Sequence, residues 1–315
     1  MRIAILNDIS LNGRHLARLR AVGTVLRHAD TIAAREAARR LKAVEIAVLD
    51  GFKLPVTRSL IETAAELRLI VLTSTAFHMV DLGAATERGI KIANIPAYST
   101  EAVAEHAVAL LLAAMRAIAQ ADRAMRVAPF QIDPGNAAHR AFLGRELRGR
   151  TLGVVGLGAI GRRVAELGLG LGMTVIGWNR TARPVAGVRS VGLDELLQLS
   201  DVVSLHVAVH SDTENIISQR ELGLMKRDAV LINTAGGELV DTAALYQALS
   251  EGRVGAAGLD VIRPWDRANP LLGLDNVVLS PQSAAWTEEA GVRLADGVVA
   301  TIEAFARGKP TNIVN

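Results

Sequence analysis

Short apolar runs alternate with segments of helical period along most of the chain. In the first hundred residues the runs are RIAIL (2–6), EIAVLD (45–50), LRLIVL (67–72) and KIANI (91–95). Each has the length and composition of a strand buried on both faces. Between them, TIAAREAARRL (31–41) and SLIETAAEL (59–67) repeat apolar positions every three or four residues, as amphipathic helices do. The alternation predicts a βαβ series with a parallel sheet. STEAVAEHAVALLLAAMRAIAQADRAMRV (99–127) then predicts one long helix, with Ser99 or Thr100 as its cap.

Residues 128–150, APFQIDPGNAAHRAFLGRELRGR, are rich in Pro, Gly and Arg and have no clear period. They predict an excursion over the surface or onto a partner subunit. A second βαβ series starts at TLGVVG (151–156) and runs through TVIGWN (174–179), VVSLHV (202–207), AVLINT (229–234), GAAGLDV (255–261) and NVVLS (276–280). A final helix, about 287–308, closes the chain. The length of 315 residues suits two domains rather than one core.

Composition narrows the chemistry. Half of the residues are hydrophobic, which argues against disorder. There are no cysteines, so disulfides, thiolate catalysis and cysteine metal sites are excluded, and no other metal-ligand spacing is present. The net charge is only +3 and the arginines are scattered, so no nucleic-acid footprint is expected. MRIAILNDIS is too short in its apolar run for a signal peptide, and AVALLLAAM (107–115) is too short for a membrane span. These features predict a soluble cytoplasmic protein with no membrane or nucleic-acid partner.

The strand TLGVV leads into Gly156-Leu157-Gly158-Ala159-Ile160-Gly161 and then a helical pattern. This is the context a dinucleotide-binding glycine turn requires. The first glycine permits the turn, the second lets backbone approach a pyrophosphate, and the third packs helix against strand. The next strand ends at Asn179, where an acidic residue would favour NAD. Here Asn179 is followed by Arg180, Thr181 and Arg183, a set suited to a 2′-phosphate. The expected cofactor is NADP(H) in preference to NAD(H).

With these motifs on the page, the chain resembles the D-isomer-specific 2-hydroxyacid dehydrogenase family over nearly its whole length. The resemblance rests on STEAVAEHAVALLL, LRGRTLGVVGLGAIGRRVA, LHVAVHSDTENII, LINTAGGELVDTAAL and GLDVI…NPLLGLDNVVLSP, in that order. LTSTAFHMVDLGAATERGIKIANIPAYST is similar to the glycerate and hydroxypyruvate reductase branch. The resemblance implies an α/β fold of two doubly wound parallel-sheet domains. A flavodoxin-like substrate domain would comprise 1–98 and 289–315, with a Rossmann cofactor domain, 99–288, inserted between. It implies a homodimer through the 99–127 helix and the 128–150 excursion. It also implies that the backbone of Ser74, Thr75 and Ala76 meets the substrate, and that Thr234, Ala235 and Asp260 meet the nicotinamide half of the cofactor, with His206 nearby.

The resemblance fails at the reaction centre. The family's N-x-A-R-G turn carries an arginine for the substrate carboxylate; here NTAGG places Gly236 at that position. Trp265 stands where the family has a glutamate, and Gln282 where it has the proton-donating histidine after a proline. A guanidinium pairs bidentately with a carboxylate, and an imidazole passes a proton near neutral pH. Glycine offers only backbone, and a glutamine amide donates a hydrogen bond but no proton. The ordinary reaction on pyruvate, glyoxylate or hydroxypyruvate is therefore not expected.

Aromatic residues make up only 3% of the chain, yet Trp265, Trp286, Phe77 and Tyr98 all fall in segments that frame the family's site. They suggest either an apolar pocket for a bulky or planar substrate or rings that simply fill vacated space. His78 is the best remaining acid–base candidate, with Gln282 as a hydrogen-bond donor. His106 reads as structural, His139 lies in the excursion, His206 and His210 flank a strand end, Arg263 is a possible replacement guanidinium, and Glu238 reads as a helix cap. Three functions follow. The first is an atypical NADP(H)-dependent reductase of a carbonyl or imine. The others are an inactive NADP(H)-binding regulator or scaffold, and a redox-neutral isomerase or lyase.

Overall fold

A computed structural model describes residues 1–28, 30, 33–127, 142–181 and 183–315. The chain divides into two compact units, Met1–Ser99 with Trp286–Asn315, and Thr100–Ala285.

The first unit holds strands β1 (Arg2–Ile5), β2 (Thr24–Arg27), β3 (Ile46–Leu49), β4 (Leu69–Leu72) and β5 (Lys91–Ala93). They form a parallel sheet in the order β2-β1-β3-β4-β5. Helices α1 (Gly13–Val22), α2 (Ala34–Leu41), α3 (Arg58–Thr63) and α4 (Leu82–Glu87) connect them, and the C-terminal helix α11 (Glu288–Ala306) completes the unit. Every residue of β3 and β4 is buried, as expected for strands covered on both faces. Two apolar clusters, one on each side of the sheet, form the core.

The second unit begins with α5 (Thr100–Met115) and α6 (Ile118–Val127). Its seven strands are β6 (Thr151–Val155), β7 (Thr174–Trp178), β8 (Val188–Ser190), β9 (Val202–Leu205), β10 (Val230–Asn233), β11 (Ala256–Leu259) and β12 (Val277–Leu279). All pairings are parallel, in the order β12-β11-β10-β9-β6-β7-β8. Helices α7 (Ala159–Gly170), α8 (Leu193–Leu199), α9 (Gln219–Leu224) and α10 (Thr242–Ser250) connect them. The order reverses between β6 and β9, which is the topological switch point of a doubly wound dinucleotide-binding sheet. Both units are thus parallel α/β sheets of the expected class.

Several local expectations need correction. The single helix over 99–127 is two helices bent by 61°. The cause is tertiary. Arg145 sends its backbone N–H to the Met115 carbonyl at 2.9 Å, and Ala117 adopts a left-handed φ of 51°. Gly144 passes so close to Arg116 that a Cβ there would lie 2.8 Å from its Nε. Thr100 opens α5 with a buried hydroxyl that has no partner, so it does not cap the helix. The SLIETAAEL segment supplies only the short α3, ended at Ala64 by φ −97° and ψ 78°. The excursion, including His139, lies outside the described residues up to 141. No single helix among the described residues is long and apolar enough to cross a membrane.

Candidate functional site

Five strands of the second unit end on one edge of its sheet, and the predicted cofactor residues sit just past those ends. Gly156 follows β6, Asn179 follows β7, His206 follows β9, Thr234 follows β10 and Asp260 follows β11. The glycines of the first turn are there for separate steric reasons. Gly156 has φ +100°, and a Cβ on it would lie 2.7 Å from the His206 carbonyl. A Cβ on Gly161 would lie 1.8 Å from the Gly156 oxygen, so this contact admits no side chain. Above Gly158, in contrast, there is nothing within 4 Å. Gly158 is also the N-cap of α7, and no side chain caps that helix. The first-turn N–H groups of this 12-residue helix thus have no side-chain cap, which is the arrangement that receives a pyrophosphate.

The basic segment after β7 is partly engaged. Asn179 Oδ1 accepts from the Leu157 N–H at 3.1 Å, and Nδ2 donates to the Thr181 carbonyl at 2.7 Å. The amide thus braces the glycine turn. Arg180 pairs with Asp212 at 3.2 Å, with both side chains exposed, and Thr181 and Arg183 are exposed. His206 accepts or shares a hydrogen bond with Ser204 Oγ at 2.8 Å, and its backbone N–H donates to Val155 O at 2.7 Å. Burial holds its imidazole down at about 4, so it is neutral near pH 7.

Asn233, buried at the end of β10, templates the second turn. Its Oδ1 accepts from the N–H of Ala235 at 3.0 Å and of Gly236 at 3.3 Å, and its Nδ2 donates to the Gly236 carbonyl at 2.8 Å. Thr234 Oγ1 is buried with no partner, an orphan polar atom beside this turn. Glu238 pairs with Arg263, and Asp241 caps α10 by accepting from the Ala244 N–H at 3.0 Å. Glu238 is therefore no helix cap, and Arg263 is held by a carboxylate.

Asp260 is buried and its carboxylate organises a third turn. Oδ1 accepts from Ser280 Oγ at 2.6 Å and from the Ser283 N–H at 2.9 Å, and Oδ2 accepts from the Ala284 N–H at 3.0 Å. The Asp260 carbonyl accepts from Gln282 N–H at 2.9 Å. Gln282 is left at φ 55°, a left-handed conformation unusual outside glycine. His106 bonds Ser280 Oγ at 2.8 Å and lies 3.5 Å from Asp260, in keeping with its structural reading. Trp265 does not fill a core; it is 56% exposed. It lines an apolar concavity of about 460 Å³ with Ile262, Leu272, Leu279 and Pro281.

The remaining predicted residues lie in the first unit. Ser74 Oγ donates to Ala76 O at 2.7 Å, Thr75 Oγ1 to Ile95 O at 3.2 Å, and Asn94 Nδ2 to Thr75 O at 2.7 Å. These bonds fix the loop after β4. No hydrogen bond among the described residues engages the backbone N–H groups of Ser74, Thr75 or Ala76. Phe77 packs onto the core of its own unit rather than standing free. His78 is exposed and meets Phe52 edge-on, 5.6 Å between ring centroids. Tyr98 packs on the other core cluster, and burial raises its phenol above its ordinary value, making it a weaker acid. Trp286 is 72% exposed.

The model of the D-isomer-specific 2-hydroxyacid dehydrogenase NAD-binding domain matches residues 108–284. The chain belongs to the D-isomer-specific 2-hydroxyacid dehydrogenase family. A glyoxylate reductase of Korarchaeum cryptofilum is 40% identical over 83% of this chain and 80% of its own length. A glycerate dehydrogenase of Methylorubrum extorquens is 38% identical over 89% of this chain and 88% of its own length. Among solved structures, an acyclic imino acid reductase in complex with NADPH and D-Arg superposes with a TM-score of 0.92 at 36% identity, covering 100% of both chains. The family is one of oxidoreductases that bind a nicotinamide dinucleotide. Sequence reasoning missed Val209, which carries no motif signal, and the bracing role of Asn233, the residue that opens the NTAGG motif.

Proposed function

We propose that this family member is an NADP(H)-dependent reductase of an imine on a bulky or aromatic small molecule, with the matching carbonyl as a poorer acceptor. The observation that carries the reading is the second turn: position 236 is a glycine that offers only backbone, while the glycine turn at 156–161 keeps the form a dinucleotide needs. The likeness to an imino acid reductase that binds NADPH supports it.

The residues fit a dinucleotide. Gly156, Gly158, Ala159, Ile160 and Gly161 would hold the pyrophosphate, Arg180, Thr181 and Arg183 the 2′-phosphate, and Thr234 with Ala235 the nicotinamide half, where the Thr234 hydroxyl lacks a partner. The Asp260 carboxylate, spent on its own turn, would act by holding Gln282 in place. When bound, the reduced nicotinamide supplies a hydride. A protonated imine brings its own proton, so hydride addition to carbon yields a neutral amine without any general acid. Gln282 then needs only to donate a hydrogen bond and orient the acceptor. A ketone gains negative charge on oxygen and needs a proton, which glutamine cannot give. The unengaged N–H groups of Ser74, Thr75 and Ala76 would receive an anionic group of the substrate.

The same reading takes the protein to be cytoplasmic and a homodimer through α5, α6 and the segment that follows. The test is NADPH oxidation by purified protein against a panel of 2-oxo acids, each with and without a primary amine. Amine-dependent turnover supports the proposal. Absence of turnover across the panel, in protein that binds NADPH, leaves the non-catalytic binder as the better reading.

A further inference from the structure

Arg162 sits one turn into α7, three residues after Ala159 and therefore on the same helix face. Side chains on a helix lean toward its N-terminus. That of Arg162 does so, and its Nε donates to the Leu157 carbonyl at 3.0 Å. Leu157 is the second residue of the glycine turn, and its own N–H is held by Asn179 Oδ1. The bond pins the guanidinium plane beside the turn instead of leaving it to swing in solvent. Ala159, one turn nearer the N-terminus on that face, is exposed and offers only a methyl. No carboxylate among the described residues pairs with Arg162, although its neighbour Arg163 is paired with Glu101 and Glu166. The first turn of α7 carries no acidic residue. A cation at this end of a helix is opposed by the helix dipole. The fold thus holds an unpaired guanidinium where only an anion from outside the chain would offset it.

We propose that Arg162 is a pyrophosphate-binding residue, whose free Nη groups take charged hydrogen bonds to the phosphates that the α7 N-terminus receives. The proposal rests on the reading of residues 156–161 as a dinucleotide cradle, and it adds a side chain to a site otherwise built from backbone. A dinucleotide carries a negative charge on each phosphate of its pyrophosphate. Backbone N–H groups and a helix dipole offset only part of that charge. A guanidinium supplies a full charge and donors in a planar fork. With Nε engaged on Leu157, both Nη groups of Arg162 remain for the ligand. The pyrophosphate is common to NADPH and NADH, so Arg162 strengthens both alike. It differs in this from Arg180 and Arg183, which in the proposed reading serve the 2′-phosphate.

The experiment compares the parent protein with R162Q by fluorescence titration with NADPH and NADH, at low and at about 1 M salt, and by melting without nucleotide. Glutamine keeps a donor on the side chain and removes the charge. R162Q should bind both dinucleotides at least about fivefold more weakly, by the same factor for each. The ratio between the two proteins should shrink at about 1 M salt, where charges are screened beyond roughly 3 Å. Without nucleotide, R162Q should melt at the parent Tm or about 1–2 °C above it, because a cation leaves the positive end of a helix. A loss confined to NADPH would move Arg162 to the 2′-phosphate and overturn the proposal. A loss that persists in salt and comes with a fallen Tm would make Arg162 a brace for Leu157 alone, and overturns it too. A parent that binds neither dinucleotide defeats the cradle reading and the proposal with it. A parent that binds both, matched by an R162Q protein of equal affinity, defeats the proposal and leaves the cradle standing.

Discussion

Gly156 lies in the turn after β6 and Gly161 in the first turn of α7 that follows it, and Gly236 and Gly237 lie in the turn after β10 of the same sheet. In the first turn, glycine answers to backbone. A Cβ on either residue would run into main-chain atoms of His206 or Gly156, which have nowhere to go. In the second, Gly237 faces Arg263 Cγ at 2.8 Å and the Ile262 backbone, but Gly236 faces a valine methyl. Backbone contacts fix the first turn in any chain with this fold. The contact at Gly236 is with a side chain, which a turn about one torsion can relieve. The first turn is thus a property of the fold, and the second a property of this chain, which is where a change of substrate would be written.

The strongest way to break the contrast is G161A. It should cost about 3 kcal/mol of stability, because the overlapped atom is a backbone oxygen, and should abolish NADPH binding. A melt and a fluorescence titration would check both. N233A should unfasten the second turn, losing three hydrogen bonds around a buried site at a cost of about 2 kcal/mol, with NADPH affinity falling less than in G161A.

His206, whose backbone crowds Gly156, gives a pH signature. Its folded value of about 4 lies below the ordinary 6.5, so the unfolded chain binds the extra proton between those limits. Stability from this group is complete above pH 6.5 and is lost as pH falls toward 4, by about 2 kcal/mol once partial exposure of the residue is allowed for. Tm against pH should steepen in that window, and H206Q should flatten it. The smallest effect should come from G158A, where a Cβ meets nothing in the protein. Tm should hold within about 1 °C, while NADPH affinity falls about tenfold, ~1.4 kcal/mol. A G158A protein with unchanged affinity would remove the pyrophosphate from this turn.

The sheets were legible because their central strands are continuous apolar runs. IAVL and LIVL are buried at every position, and the pattern shows it. The edge strands β2 and β8 escaped notice. TVLR is exposed or half-buried throughout, and VRS has only three residues. Period alone could not find the bend at Arg116–Ala117, which comes from Arg145 and Gly144 far along the chain. The glycine turn was readable from its spacing and its flanking strand and helix. Asn179 was read as a ligand residue, yet its amide braces Leu157, since a side chain's orientation is not written in its position. The bare position at 236 was visible in NTAGG, but the side chain beside it was not. Val209 is an ordinary apolar residue, and only the fold brings it to Gly236.

The most direct test of the account is the rate of NADPH oxidation by the purified protein with an aromatic 2-oxo acid, measured without and with a saturating primary amine. The account predicts turnover that appears only with the amine, and little or none on glyoxylate, pyruvate or hydroxypyruvate alone. Equal rates with and without amine, on small 2-oxo acids above all, would show that the ordinary dehydrogenase reaction survives and would contradict it.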